Sequence, residues 1–130
     1  MITFFTIPKP FQGHSEIIQS NAILSWQLLE PKCEILIFGN HKSIKNFSDE
    51  NKIKFVNEYN SNEYGTPLLD KIWFQAKEMS QYNIICFINS DIILLPSFVK
   101  KINTIKLTDY FIAGRRWDID IGKKITIANQ

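Results

Sequence analysis

Two cysteines and two histidines are all that 130 residues offer to a soft-metal site, and no CxxC or HxxH spacing occurs. A zinc centre built on Cys and His is therefore not the organising feature. Cys33 and Cys86 each lie in an apolar stretch, where a buried free thiol suits a reducing compartment. No GxGxxG follows the first apolar run and no GxxxxGK[ST] occurs anywhere, which argues against a dinucleotide-binding or phosphoryl-transfer domain. Net charge is only +2, with Lys100-Lys101 and Lys123-Lys124 the only adjacent lysine pairs, so charge points to neither nucleic acid nor a membrane. No apolar run approaches a membrane span, and no cationic region leads into a long apolar core at the N-terminus. A cytoplasmic protein without a membrane segment is the expectation. Repeats and low-complexity linkers are absent as well.

What is present is an ordinary globular composition, 45% hydrophobic, in a chain of single-domain length spanning residues 1–130. Short β-branched and aromatic runs alternate with stretches of helical spacing. Ile2–Ile7 reads as a first strand, ended by Pro8-Lys9-Pro10 because proline removes ladder donors. Ser15 and Glu16 suit the start of a helix whose buried face is Ile18, Ala22, Trp26 and Leu29, ending by Pro31. Glu34–Gly39 is a second strand and Ile53–Val56 a short third, with a polar stretch between them holding a short helical turn around Ile44 and Phe47. Thr66-Pro67 reads as a cap and first turn for a helix with Leu69, Ile72, Trp73 and Ala76 on one face. Ile84–Ile88 is an apolar run without alternation, expected to be a central strand buried on both faces. A short helix with Phe98, Val99 and Ile102 inward follows Pro96, then a last strand at Tyr110–Ala113 and a tail without an obvious anchor. This alternation predicts an α/β fold, Rossmann-like, with a mostly parallel sheet flanked by helices and right-handed crossovers. Ile2–Ile7 and Ile84–Ile88 should lie side by side where strand order reverses.

Two constellations carry chemistry. Asn89-Ser90-Asp91 closes the Ile84–Ile88 run, at the edge of the sheet where open α/β proteins bind ligands. A carboxylate there, with neighbouring oxygen donors, suits Mg2+ or Mn2+. The alternative is a plain polar turn in which Asx residues bond their own backbone. Gly114-Arg115-Arg116-Trp117-Asp118-Ile119-Asp120 is the second: paired arginines can grip a diphosphate and Trp117 can stack on a sugar or base. Its alternative is a surface turn in which Arg and Asp pair with each other. Pro8, Lys9 and Asn40 follow the first two strands and rim the same crevice. His14, His41, Thr66 and Asp70 read as surface or capping residues.

The order of elements leading to Ile-Cys-Phe-Ile-Asn-Ser-Asp-Ile resembles the N-terminal half of a nucleotide-sugar glycosyltransferase of the GT-A fold, closest to family-2-like and nucleotide-diphospho-sugar transferases. The likeness covers roughly Ile2 to Asp120. It implies that the first strands and their loops bind the nucleotide. Asn89-Ser90-Asp91 stands where the family's Asp-x-Asp motif holds a divalent metal against the diphosphate. Asp91 and Asn89 would then be metal ligands, and Pro8, Lys9, Asn40, Asn89, Ser90, Arg115, Arg116 and Trp117 would line the donor site. Asp118 and Asp120 are candidates for the catalytic carboxylate by position alone. The chain departs from the pattern at Asn89, which brings no charge, and at Asn40, where many relatives carry an acid. It also stops soon after Asp120, so the resemblance implies a truncated fold without an identifiable acceptor half. Two functional readings follow. One is a glycosyltransferase moving a sugar from a nucleotide diphosphate to an unknown acceptor; the other is a non-catalytic nucleotide-sugar-binding module or fragment. An incomplete fold should also leave apolar surface near the C-terminal tail exposed or used in self-association.

Overall fold

The computed structural model of the chain describes residues 1–126. Within them, β1 (Ile2–Thr6), α1 (Gly13–Gln27), β2 (Glu34–Phe38), α2 (Lys42–Glu50), β3 (Lys54–Val56), α3 (Leu69–Met79), β4 (Ile84–Phe87) and α4 (Ser97–Asn103) follow in order. The four strands form one all-parallel sheet in the order β3-β2-β1-β4. β1 and β4 are neighbours, with Phe4 opposite Cys86 and Phe5 opposite Phe87, so strand order reverses at the expected place. No helix among the described residues is long and apolar enough to cross a membrane.

Side-chain alternation along the strands builds two cores. Ile2, Phe4, Ile35 and Ile37 face one side, where α1 contributes Ala22, Ile23 and Trp26, α2 contributes Ile44 and Phe47, and α4 contributes Val99. Phe5, Leu36, Phe38 and Val56 face the other, covered by Ile72 and Ala76 of α3. Phe5 sits at the centre of the second core, its ring edge-on to Trp73 at 5.2 Å and tilted to Phe87 at 5.4 Å. Both faces of β1 and β2 are thus dry, which explains their unbroken apolar character.

Crossover geometry decides the rest of the topology. α1 and α2 lie on one face and carry the chain from β1 through β2 to β3, while α3 lies on the opposite face and carries it back to β4. Face and direction reverse together, so these crossovers share one hand. α4 lies on the α1 face, its Phe98 ring 6.0 Å from Phe4. A parallel strand delivered by α4 beyond β4 would need the opposite hand, which is rarely seen. Accordingly the expected strand Tyr110–Ala113 does not form: the segment is unpaired and Phe111 is 82% exposed. With no strand outside it among the described residues, β4 is an edge strand. Its four residues are half-buried rather than enclosed on both faces as the sequence suggested.

Other differences are local. α1 begins at Gly13 with Gln12 at its N-cap and no side-chain cap bond, so Ser15 lies inside the first turn. α3 begins at Leu69 rather than at Thr66-Pro67. Asn62 Oδ1 accepts the N–H groups of Tyr64 and Thr66, and Ser61 bridges Pro67, so a small hairpin consumes the residues expected to start the helix. The polar stretch after β2 is a full nine-residue helix, α2, because His41 caps it: Nδ1 accepts the Ser43 N–H at 3.1 Å. The C-terminal tail does have an anchor. Buried Asn21 of α1 donates through Nδ2 to the Lys123 carbonyl at 2.9 Å and accepts the Ile125 N–H on Oδ1 at 2.8 Å. The apolar surface expected near that tail is there: Leu107, Phe111, Trp117 and Ile119 are all more than half exposed.

Candidate functional site

The crevice at the carboxyl ends of β1 and β4 is shaped by one polar side chain that sequence reading passed over. Gln19 of α1 is buried, and its amide faces the loop after β1. Its Nε2 donates to the Lys9 carbonyl at 2.9 Å and its Oε1 accepts the Lys9 N–H at 2.8 Å. The same Oε1 accepts the Ser90 hydroxyl at 3.0 Å. One amide thus fixes the backbone after β1 and the turn after β4 to each other. Buried groups so satisfied are rigid, because breaking any of these bonds would strand a polar atom without water. The signal in the sequence was faint: a glutamine between Ile18 and Ser20 on an amphipathic helix reads as solvent-facing.

Two further bonds hold the chain beyond Asp91. Trp26 Nε1 donates to the Ile92 carbonyl at 2.8 Å, and the Leu94 N–H donates to Ser25 Oγ at 3.2 Å. The turn itself is closed by the Ile92 N–H on the Asn89 carbonyl at 3.2 Å. Asn89-Ser90-Asp91 is therefore a tight turn on a braced platform. Ser90 points inward to Gln19 and is buried, whereas Asn89 and Asp91 are exposed. Neither the Asn89 side chain nor the Asp91 carboxylate makes a hydrogen bond or ion pair among the described residues.

On the β1 side Pro8 is buried and Lys9 is exposed, with its backbone held by Gln19. Thr6, the last residue of β1, is fully buried, and its Oγ1 has no protein partner among the described residues. Gly39 directly follows β2, its N–H donating to the Val56 carbonyl at 3.1 Å. A Cβ on Gly39 would fall 2.9 Å from Ile44 Cδ1, so glycine is what lets α2 pack close behind the strand end. Asn40 follows, exposed, on the same rim. Ser43 Oγ accepts the Phe11 N–H at 2.8 Å and lies 2.8 Å from His41 Nδ1. Since Nδ1 also accepts from the Ser43 backbone, the ring proton belongs on Nε2, and His41 serves as a cap.

Gly114 to Asp120 is a separate matter. All seven residues are exposed, Trp117 at 94%. Arg116 Nε pairs with Asp118 Oδ1 at 3.1 Å within this exposed, irregular segment. No hydrogen bond or ion pair joins Arg115, Arg116, Trp117, Asp118 or Asp120 to Lys9, Asn40 or Asn89–Asp91. The crevice residues from β1, β2 and β4 are thus gathered by the sheet, and the arginine segment is not held to them.

No family model, characterised protein or solved structure matches this chain. The donor set must be judged on its own. No group of three or more His, Cys, Asp or Glu side chains converges among the described residues, so no all-protein metal cage is present there. A single free carboxylate beside a free amide fits a different kind of site, one in which phosphate oxygens and water complete the shell of a hard cation. Neither thiol is poised as a nucleophile near neutral pH: burial pushes Cys86 up to about 11, and burial likewise raises Cys33. Tyr59, edge-on to Phe38 at 6.3 Å, is also raised by burial.

Proposed function

We propose that the β1/β4 crevice binds a nucleotide-diphosphate sugar and that the domain is the donor-binding part of a glycosyltransferase. The observation that carries this reading is the free Asp91 carboxylate beside the free Asn89 amide, on a braced turn at the point where strand order reverses. Asp91 and Asn89 would hold Mg2+ or Mn2+ together with diphosphate oxygens. When bound, such a cation supplies Lewis-acid neutralisation of the leaving diphosphate. Lys9 and Asn40 contribute a cation and an amide to the nucleotide side, Pro8 shapes the loop, and Ser90 with Gln19 keeps both walls in register. Arg115 and Arg116 enter as a grip on the diphosphate, which requires the Arg116–Asp118 pair to open, and Trp117 as a stacking surface. Asp118 and Asp120 are the acceptor-side carboxylates in this reading.

A second reading, a nucleotide-sugar-binding module without turnover, is favoured by one feature: the Asp118 side chain is 90% exposed and tied to nothing in the crevice. Titration calorimetry of Mn2+ with and without UDP tests the binding reading. Metal should bind weakly alone and tighten with nucleotide, and Asp91→Asn should remove the metal-dependent part. If Asp91→Asn matches the parent, Asn89-Ser90-Asp91 is only a turn. Release of labelled sugar from a UDP-sugar then separates transferase from binding module.

A further inference from the structure

The two edges of the sheet are guarded unequally. β3 is three residues long and begins with exposed Lys54, and short length and an edge lysine both discourage pairing with another chain. β4, Ile84-Ile85-Cys86-Phe87, has no charge, no proline and no bulge, and among the described residues it pairs with β1 alone. Its ladder to β1 runs through alternate residues. The Ile88 N–H donates to the Phe5 carbonyl, so Ile84 and Cys86 turn their backbone groups toward β1 while Ile85 and Phe87 turn theirs outward. Ile85 and Phe87 therefore turn their N–H and C=O groups outward along an apolar strand, with a weak bond from Cys86 Sγ at 3.6 Å on the Phe87 carbonyl. The chain's own next β-rich segment, Tyr110–Ala113, does not fill this edge, and a parallel connection through α4 would need the disfavoured hand.

We infer that the β4 edge is a self-association surface, where β4 of a second copy pairs antiparallel across a two-fold axis to make one continuous sheet. The two-fold makes the contact self-complementary and closed, so it ends at a dimer. Because the axis stands perpendicular to the sheet, residues meet in pairs whose numbers sum to an even value. The pairing centred on Cys86 is the all-apolar one: Cys86 faces Cys86, Ile85 faces Phe87 and Ile84 faces Ile88. Centring on Ile85 would instead set Asn83 against Phe87. The Cys86 register also opposes no like charges, since β4 and Ile88 carry none. Ile85 and Phe87 then form the hydrogen-bonded pairs, and the two Cys86 residues form the close non-hydrogen-bonded pair between them.

That register gives a chemical readout. A non-hydrogen-bonded antiparallel pair brings two Cα atoms within the span of a disulfide. In a Cys33→Ser background, oxidised glutathione under mildly alkaline conditions, where some Cys86 thiolate forms, should convert two Cys86 thiols to one intermolecular disulfide, the oxidant taking up both electrons and both protons. Cys86→Ser should give no covalent dimer. Light scattering on the reduced parent should give a mass of about twice the 15.2 kDa chain. Ile85→Pro should return it to a single chain, because that proline removes an outward N–H and leaves the β1 ladder intact. Circular dichroism on Ile85→Pro reports whether the fold survives, and the Cys86 cross-link tests the interface independently of that variant. A parent that stays monomeric over a wide concentration range overturns the inference. So does a dimer that neither cross-links through Cys86 nor responds to Ile85→Pro.

Discussion

Ser90 donates its hydroxyl to Oε1 of Gln19 at 3.0 Å, so the turn after β4 is tied to α1 rather than left to solvent. The same oxygen accepts from the Lys9 backbone, which makes Gln19 the joint between the two walls of the crevice. Replacing it with leucine leaves the Ser90 hydroxyl and both Lys9 backbone groups without their partner. Gln19→Leu should therefore lower stability by about 3 kcal/mol, more than a surface change and close to the loss of a buried network. Urea denaturation of parent and variant measures it. A loss below about 0.5 kcal/mol would mean that water replaces the amide freely.

Asn21 plays a comparable part at the other end of the chain. Its side-chain amide takes the place of a strand neighbour for Lys123 and Ile125. Asn21→Leu should release that segment, at about 1–2 kcal/mol, and expose Lys123 and Lys124 to trypsin well before the domain is cut. Equal cleavage rates in parent and variant would show that the exposed Lys124–Glu16 pair, 3.2 Å long, suffices as the tether.

How far the sequence disclosed this architecture depends on what kind of signal each part leaves. β1 and β2 were legible because a strand covered on both faces by helices must be an apolar run, β4 because even its half-covered faces are apolar, and α1 because Ala22 and Trp26 repeat at helical spacing. The place of the candidate site followed from topology, since the connections of adjacent strands part to opposite faces wherever the order reverses and open a crevice at their carboxyl ends. Gln19 and Asn21 were not legible. A polar residue on an amphipathic helix looks solvated until the loop that covers it is known, and that loop lies 71 or more residues away for Ser90 and the tail. Tyr110–Ala113 misled for the opposite reason. Its β-rich composition is genuine, but strand formation needs a free edge that the connection can reach with the favoured hand, and propensity carries no such information.

Cys86 supplies a pH prediction. Burial lifts its thiol from the ordinary 9.0 to about 11, with a smaller contribution from Cys33. An acid whose folded pKa exceeds its unfolded value favours folding while protonated in both states. That contribution is complete below about 9 and is lost as pH climbs toward about 11, because the unfolded chain gives up its proton first. The parent should lose about 2–3 kcal/mol over this window relative to Cys86→Ala, whose position 86 does not titrate. Paired denaturation curves across that pH range give the difference directly. Parallel stability profiles for the two proteins would place the Cys86 thiol in water.

Thr6 offers the sharpest separation between packing and function. Its Oγ1 is fully buried at the carboxyl end of β1, with no protein partner among the described residues. An unpaired buried hydroxyl is destabilising, and such departures concentrate where a fold serves something other than its own stability. Valine has nearly the same shape without the hydroxyl. If packing were the whole account, Thr6→Val should raise stability by about 1 kcal/mol and change nothing else. If the hydroxyl addresses a ligand in the crevice, the same substitution should still stabilise the free protein while weakening UDP binding by about tenfold, the loss expected for one good hydrogen bond. We expect the first pattern, because a hydroxyl with no accessible surface offers nothing to a ligand in the crevice. Thermal denaturation without ligand and calorimetry with UDP and Mn2+, run on the same preparations, distinguish them. Weaker UDP binding alongside the higher stability would show that the crevice opens as far as Thr6 when it is occupied, beyond the rim formed by Asp91, Asn89 and Lys9.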